Sequence, residues 1–231
     1  MRKKTLAALP VILLVVSYRI DAMQRSPAFF RNRDIILEAL KTSGLAKCER
    51  ILEIGSGPGE HAPYFASQLG AQSPIFQPTD MHSEDLASSD AHAKAAGVFE
   101  SKVLAARPLD IFYENWGFSA FDGCLCINVL HIAPHAAIPH FFRGVSNALE
   151  PGGLCGIYDT WKIDGNFVGP NNQGFHFGLR AQGFSGIPTI EECDHAAQQH
   201  NMHRTHLLYL PANNQFAVYR KLQDSEAPPT V

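Results

Sequence analysis

The chain has 231 residues, of which 45% are apolar, and a formal charge of −3. That length suits one α/β domain with a full core and is short for two. The near-neutral balance excludes an electrostatic partnership with nucleic acid, and the eleven scattered histidines with no Cys-x-x-Cys pair lead us to expect no metal site.

In chain order, Met1-Arg2-Lys3-Lys4 precedes an apolar run from Leu6 to Val16 that Pro10 interrupts. The run is shorter than the roughly 20 residues a membrane span needs. Residues 1–22 read as a membrane-targeting segment, a docked helix, or an extension upstream of a functional start near Met23. We expect an accessory segment on a cytoplasmic protein, with one domain over residues 23–231. Ser26-Pro27 opens a helix to about Ser43, with Gly44 as its stop. Strands follow at Arg50 to Ile54 and from Pro74 or Ile75 to Asp80, then a helix from Ser83 to Ala96. A short strand lies around Ala105 to Leu109 and a fourth runs from Gly123 to Ile127. Ala137 to Leu149 reads as a helix that Pro151-Gly152-Gly153 terminates, before a fifth strand from Leu154 to Tyr158. Thr189 to His200 is the last helix. Two strands, His206 to Leu210 and Gln215 to Arg220, flank the turn Pro211-Ala212-Asn213-Asn214. Alternating strands and helices predict a mostly parallel sheet with right-handed crossovers, closed by an antiparallel hairpin. Cys124, Cys126 and Cys155 fall inside predicted strands, where free Cys acts as a small apolar residue. Five cysteines in such positions fit a reducing compartment.

The most informative stretch is Ile51-Leu-Glu-Ile-Gly-Ser-Gly-Pro-Gly-Glu-His61. A strand ends near Glu53, three glycines alternate, and a helix runs from His61 to Leu69. Glycines at these places let the backbone bend sharply and approach a ligand, with loop amides and the helix N-terminus facing it. A dinucleotide fingerprint has the spacing Gly-x-Gly-x-x-Gly over a pyrophosphate. Here the spacing differs, and the carboxylate of Glu53 would repel a pyrophosphate and suit a cationic amino group. Asp80 stands 25 residues past Gly55 at the tip of the next strand. It is placed either to accept both hydroxyls of a ribose or to cap the helix that starts at Ser83. Glu53, Asp80, Asp110 and Asn128 all fall at strand carboxyl ends, where sheets of this kind bind ligands.

The loop with its preceding Glu53 resembles the first motif of the class I S-adenosylmethionine (SAM) methyltransferases. The resemblance extends over residues 24–221. Ser26-Pro27-Ala28, Arg31-Asn32-Arg33-Asp34, Gln77-Pro78 with Asp80, Pro108-Leu109-Asp110 with Trp116, Asn128 with His131-Ile132, and Pro211-Ala212-Asn213-Asn214 are similar to the methyltransferase-like protein 26 group. It implies a Rossmann-like class I methyltransferase sandwich with a seven-stranded sheet. The implied cofactor is SAM, with S-adenosylhomocysteine as product and a small-molecule acceptor. The resemblance places Gly55, Ser56, Gly57 and Gly59 along the methionine part, Glu53 near its ammonium and Asp80 on the ribose. Met81, Asp110 and Ile111 fall around the adenine, and Asn128 near the methionine part. His61 reads equally as a cofactor or an acceptor contact. Arg31, Asn32 and Arg33 are either a solvated or capping helix face or a lid, with Asn32 or Arg33 touching the cofactor carboxylate or an acidic acceptor. Tyr158, Trp161, Asn172 and His176 are expected on the acceptor side. His131 is the candidate general base, with a structural imidazole as the alternative. At His176, Pro188-Thr189 and Tyr158-Asp159-Thr160-Trp161 the chain departs from the group's usual residues. A SAM-binding protein that transfers no methyl therefore stands as the second reading, and a nicotinamide oxidoreductase as a third that the glycine spacing disfavours.

Overall fold

The structure is a computed structural model and describes residues 23–223. The expectations for residues 1–22 lie outside the described residues. Helix α1 (Phe29–Ser43) ends where Gly44 turns left-handed at φ 88° and returns its N–H to the Lys41 carbonyl. Then follow β1 (Arg50–Ile54), α2 (His61–Leu69), β2 (Ile75–Asp80), α3 (Ser83–Ala95), β3 (Arg107–Pro108), β4 (Phe121–Ile127), α4 (Ala137–Ala148) and β5 (Leu149–Asp159). The chain continues through β6 (Lys162–Ile163), β7 (Asn166–Phe167), α5 (Pro170–Ala181), α6 (Ile190–Gln199), β8 (Met202–Leu210) and β9 (Asn214–Lys221).

Seven strands form one sheet in the order β3-β2-β1-β4-β5-β9-β8. The first five pair in parallel, and β9 runs antiparallel to both β5 and β8. The order reverses at β1, so the crevice between β1 and β4 is the topological switch point. Side-chain alternation makes both faces of the sheet apolar. Leu52, Cys124, Cys126, Ile157, Ala217 and Tyr219 pack with α4 and α6. Ile51, Leu125, Ile127, Tyr158, Phe216 and Val218 pack with α1 and α2. A sheet buried on both faces needs near-continuous apolar strands, and β1 and β4 have them. Glu53, at the odd positions of β1 with Ile51, is the exception.

The predicted strands and helices are present, with differences at their edges. β3 shrinks to two residues because Pro108 has no N–H to donate, which suits only an edge strand. Pro151-Gly152-Gly153 does not separate α4 from β5. It lies within β5, opposite a register irregularity between Phe121 and Gly123, with Gly152 at φ 85°. Thr189 is the N-cap of α6. Its hydroxyl accepts the Glu192 N–H while the Glu192 carboxylate accepts its own, which is a capping box. Helix α5 is not among the expected elements, because Gly174 and Gly178 weaken its propensity and only Asn172 and Leu179 are buried. All five cysteines are free. No helix of the described residues is long and apolar enough to cross a membrane.

Candidate functional site

Two adjoining cavities open at the carboxyl ends of the strands. The larger, of about 620 Å³, sits at the switch point. Its floor is the β1–α2 loop, where Gly55, Gly57 and Gly59 all have positive φ, at 67°, 53° and 83°. The Ser56 N–H donates to the Thr79 carbonyl and the Thr79 hydroxyl to the Glu53 carbonyl, which ties the loop to β2. The three glycines serve different ends. A Cβ on Gly55 would meet Val129 at 2.5 Å, and one on Gly59 would meet the Ser89 backbone at 2.3 Å. At Gly57 nothing lies within 4 Å, so its missing side chain leaves space in the cleft itself. All three glycines line the cavity; Gly55 and Gly59 also allow close packing against Val129 and Ser89, while Gly57 faces open space.

Asp80 holds this loop from the neighbouring strand. One carboxylate oxygen accepts the Gly57 N–H at 2.9 Å and the other the His82 N–H at 3.0 Å. His82 is the N-cap of α3 and no side chain caps that helix, so the capping alternative for Asp80 falls. Glu53 is 1% exposed, and its Oε2 has no hydrogen-bond partner among the described residues. Burial, and next the Asp80 charge, push its carboxyl up to about 8. Glu53, Glu60, Asp80, Asp85 and Asp110 line the cavity with Met81 and Ile111, and no Lys or Arg does. Such a wall attracts cations and repels phosphates.

The smaller cavity, of about 390 Å³, lies between the first turns of α1, the ends of β4 and β5, α5 and the β8–β9 turn. Asn128 lines both cavities and stands in the left-handed region at φ 59°, an unusual conformation for a residue with a side chain. His131, Tyr158 and Asn172 line the smaller cavity. Asn172 donates to the Thr160 hydroxyl at 2.8 Å. The His131 Nδ1 lies 2.6 Å from Asp159 Oδ1. Asp159 is fully buried and also accepts the Leu130 and Thr160 N–H groups, so every hydrogen-bonding neighbour is a donor. It therefore fixes the proton of the imidazole on Nδ1 and leaves Nε2, which has no partner among the described residues, as the basic nitrogen. Burial alone would lower the pKa of His131, but the charge and hydrogen bond of Asp159 outweigh it and hold the ring raised.

His61 lines the larger cavity, and its Nε2 lies 3.0 Å from Asn32 Oδ1, on the wall of the smaller one. Burial lowers His61 to about 4, so the ring is neutral and donates to Asn32. Three expected residues are not brought to either cavity. Arg33 stacks over Phe29, Phe30 and Tyr64 at 4.8 to 5.3 Å instead of reaching a ligand. Trp161 is fully buried within the core on the α4 and α6 side of the sheet. The His176 ring accepts the Ile187 N–H at 3.0 Å and packs on Phe167, so it anchors the chain after α5. Pro188 lines neither cavity. Glu60 and Phe184 line the larger cavity without having been singled out, Arg31 of the expected helix-face or lid cluster lines the smaller one, and Asp159, named only as a departure from the group's residues, supports His131. For Asp159 the sign was present, since it ends a strand as Glu53 and Asp80 do. Tyr158 and Lys162 form a Tyr-x-x-x-Lys pattern, but they stand on successive strands and not on one helical face.

Solved structures share this architecture at low identity. A provisionally assigned O-methyltransferase from Nostoc punctiforme superposes with a TM-score of 0.72 at 19% identity, over 88% of this chain and 60% of that one. PigF, solved with S-adenosylhomocysteine (SAH), gives 0.68 at 13%, over 92% and 67%. Human N-acetylserotonin methyltransferase, solved with SAM, gives 0.65 at 13%, over 94% and 61%. The chain thus spans about three fifths of the first and last of these proteins, and the likeness is one of fold. A family model matches residues 23–221, and on that match the chain belongs to the family described as "Protein of unknown function (DUF938)".

Proposed function

We propose that the chain is a SAM-dependent methyltransferase acting on a small molecule, with the larger cavity for SAM and the smaller for the acceptor. The observation that carries this reading is the buried, unpartnered oxygen of Glu53 in a wall of five acidic residues without a Lys or Arg. SAM carries an ammonium and a sulfonium, and a cationic ligand suits that wall where a dinucleotide does not. Glu53 and the Gly57 backbone would hold the methionine part and Asp80 the ribose. Met81, Asp110 and Ile111 would enclose the adenine. When bound, SAM supplies an electrophilic methyl group for in-line transfer, leaving neutral SAH. The chain aligns the two ligands in adjoining cavities, and orientation of that kind can supply roughly 7–11 kcal/mol. His131 Nε2 takes the proton of an acceptor O–H, N–H or S–H, while Asp159 steadies the imidazolium that results. General-base help of this sort is worth about 10²–10⁴-fold. The residues shared with the methyltransferase-like protein 26 group support a kinship at that finer level.

Calorimetric titration with SAM and with SAH, beside Asp80→Ala, tests the reading. Micromolar binding by the wild type, lost in the variant, is the expected result. A folded wild type that binds neither ligand refutes it.

A further inference from the structure

The two cavities differ in charge. The larger has five acidic residues, of which Glu53 holds its proton up to about 8, and no Lys or Arg on its wall. The smaller has Arg31 and no carboxylate on its wall, since Asp159 is buried behind His131. Arg31 sits in the first turns of α1, where the first turn carries no acidic residue. Among the described residues its guanidinium has no ion pair or hydrogen bond. Asn171, Asn172, Asn214, Thr160 and Tyr158 surround the same space, and Phe175 and Ile35 give it an apolar side. Arg31 and Asn214 both lie near enough to the Tyr158 phenol to oppose the rise that burial, and then Asp159, impose on it.

We propose that the smaller cavity selects an acceptor bearing a carboxylate, with Arg31 as the residue that binds it. An arginine fork pairs with a carboxylate through two parallel N–H donors, and such charge-assisted bonds are about twice as strong as neutral ones. The ring of amides and hydroxyls supplies neutral donors and acceptors for the rest of a small polar molecule. The volume, at the lower end of small-molecule sites, suits a small acceptor. Anchoring the anion at Arg31 leaves the remainder of the acceptor within the cavity that His131 lines. The charge difference also keeps the two ligands apart, because an anionic acceptor is repelled from the acidic cleft and cationic SAM from the Arg31 side. This inference deepens the methyltransferase reading and rests on it.

The test separates the two claims. SAH binding to the wild type and to Arg31→Ala is measured first by calorimetry. The SAH-loaded proteins are then titrated with benzoate, 3-hydroxybenzoate and 4-hydroxybenzoate, each beside its neutral primary amide. Unchanged SAH affinity in Arg31→Ala, with carboxylates held at least tenfold tighter than amides by the wild type, is expected. That preference disappears in Arg31→Ala and survives in part in Arg31→Lys. If SAH binds but carboxylates bind no better than amides, or bind Arg31→Ala as well as wild type, the anionic acceptor is refuted and the methyltransferase reading stands. If SAH does not bind, both fall.

Discussion

Replacing Glu53 by Gln should make the protein more stable while weakening the SAM binding proposed for the larger cavity. In the folded chain Glu53 holds its proton up to about 8, against an ordinary 4.5 when unfolded. Between those values the folded state binds one more proton than the unfolded state. Stability from this group is therefore full below pH 4.5 and is lost as the pH rises toward 8. Gln mimics the protonated carboxyl and loses nothing over that range. At about 1.36 kcal/mol per pH unit, the advantage of Glu53→Gln over wild type grows to about 2 kcal/mol at pH 6 and to a ceiling of roughly 5 kcal/mol above pH 8. Urea unfolding of both proteins at pH 5, 6, 7, 8 and 9 reads the difference directly. Calorimetry on the same samples should show SAM binding weakened by the loss of the carboxylate. Parallel stability profiles across that range would refute the account of Glu53 as a buried proton carrier. A Gln variant that is stabilised yet binds SAM as well as wild type would detach Glu53 from the ligand.

The imidazole of His131 should titrate above its ordinary 6.5 in a proton NMR titration. In Asp159→Asn only burial remains, so the same resonance should move below 6.5; an unmoved midpoint would mean that Asp159 does not control the ring. Gly59→Ala places a Cβ against the Ser89 backbone at φ 83° and should cost at least about 2 kcal/mol in thermal or urea unfolding. Gly174→Ala, in the interior of α5 with nothing within 4 Å, should instead stabilise by about 0.5–1 kcal/mol.

The larger cavity was legible because its parts are local in sequence. A strand, a glycine turn and a following helix announce themselves within eleven residues, and β1 runs from Arg50 to Ile54 as expected. Asp80 was legible from its place at a strand tip. The smaller cavity depends on residues from α1, β4, β5, α5 and the β8–β9 turn, which no local pattern joins. Trp161 shows the difficulty. Its aromatic ring beside Tyr158 reads as pocket lining, yet alternation puts Tyr158 on the α1 face and Trp161 in the core behind the other. Arg33 shows another, since a guanidinium near a pocket can spend itself on three aromatic rings that are remote or unremarkable in sequence. Helix α5 was missed because burial of Asn172 and Leu179 alone leaves little periodic signal.

The hydrogen bond between His61 and Asn32 makes the wall between the cavities a shared partition. One partner faces each chamber, and because His61 stays neutral down to about pH 4, the partition does not open or recharge over the pH range in which His131 titrates. Under the proposed function, the proton taken from an acceptor then goes to His131 and not to the partition, and the wall of the larger cavity keeps one charge at His61 over that range.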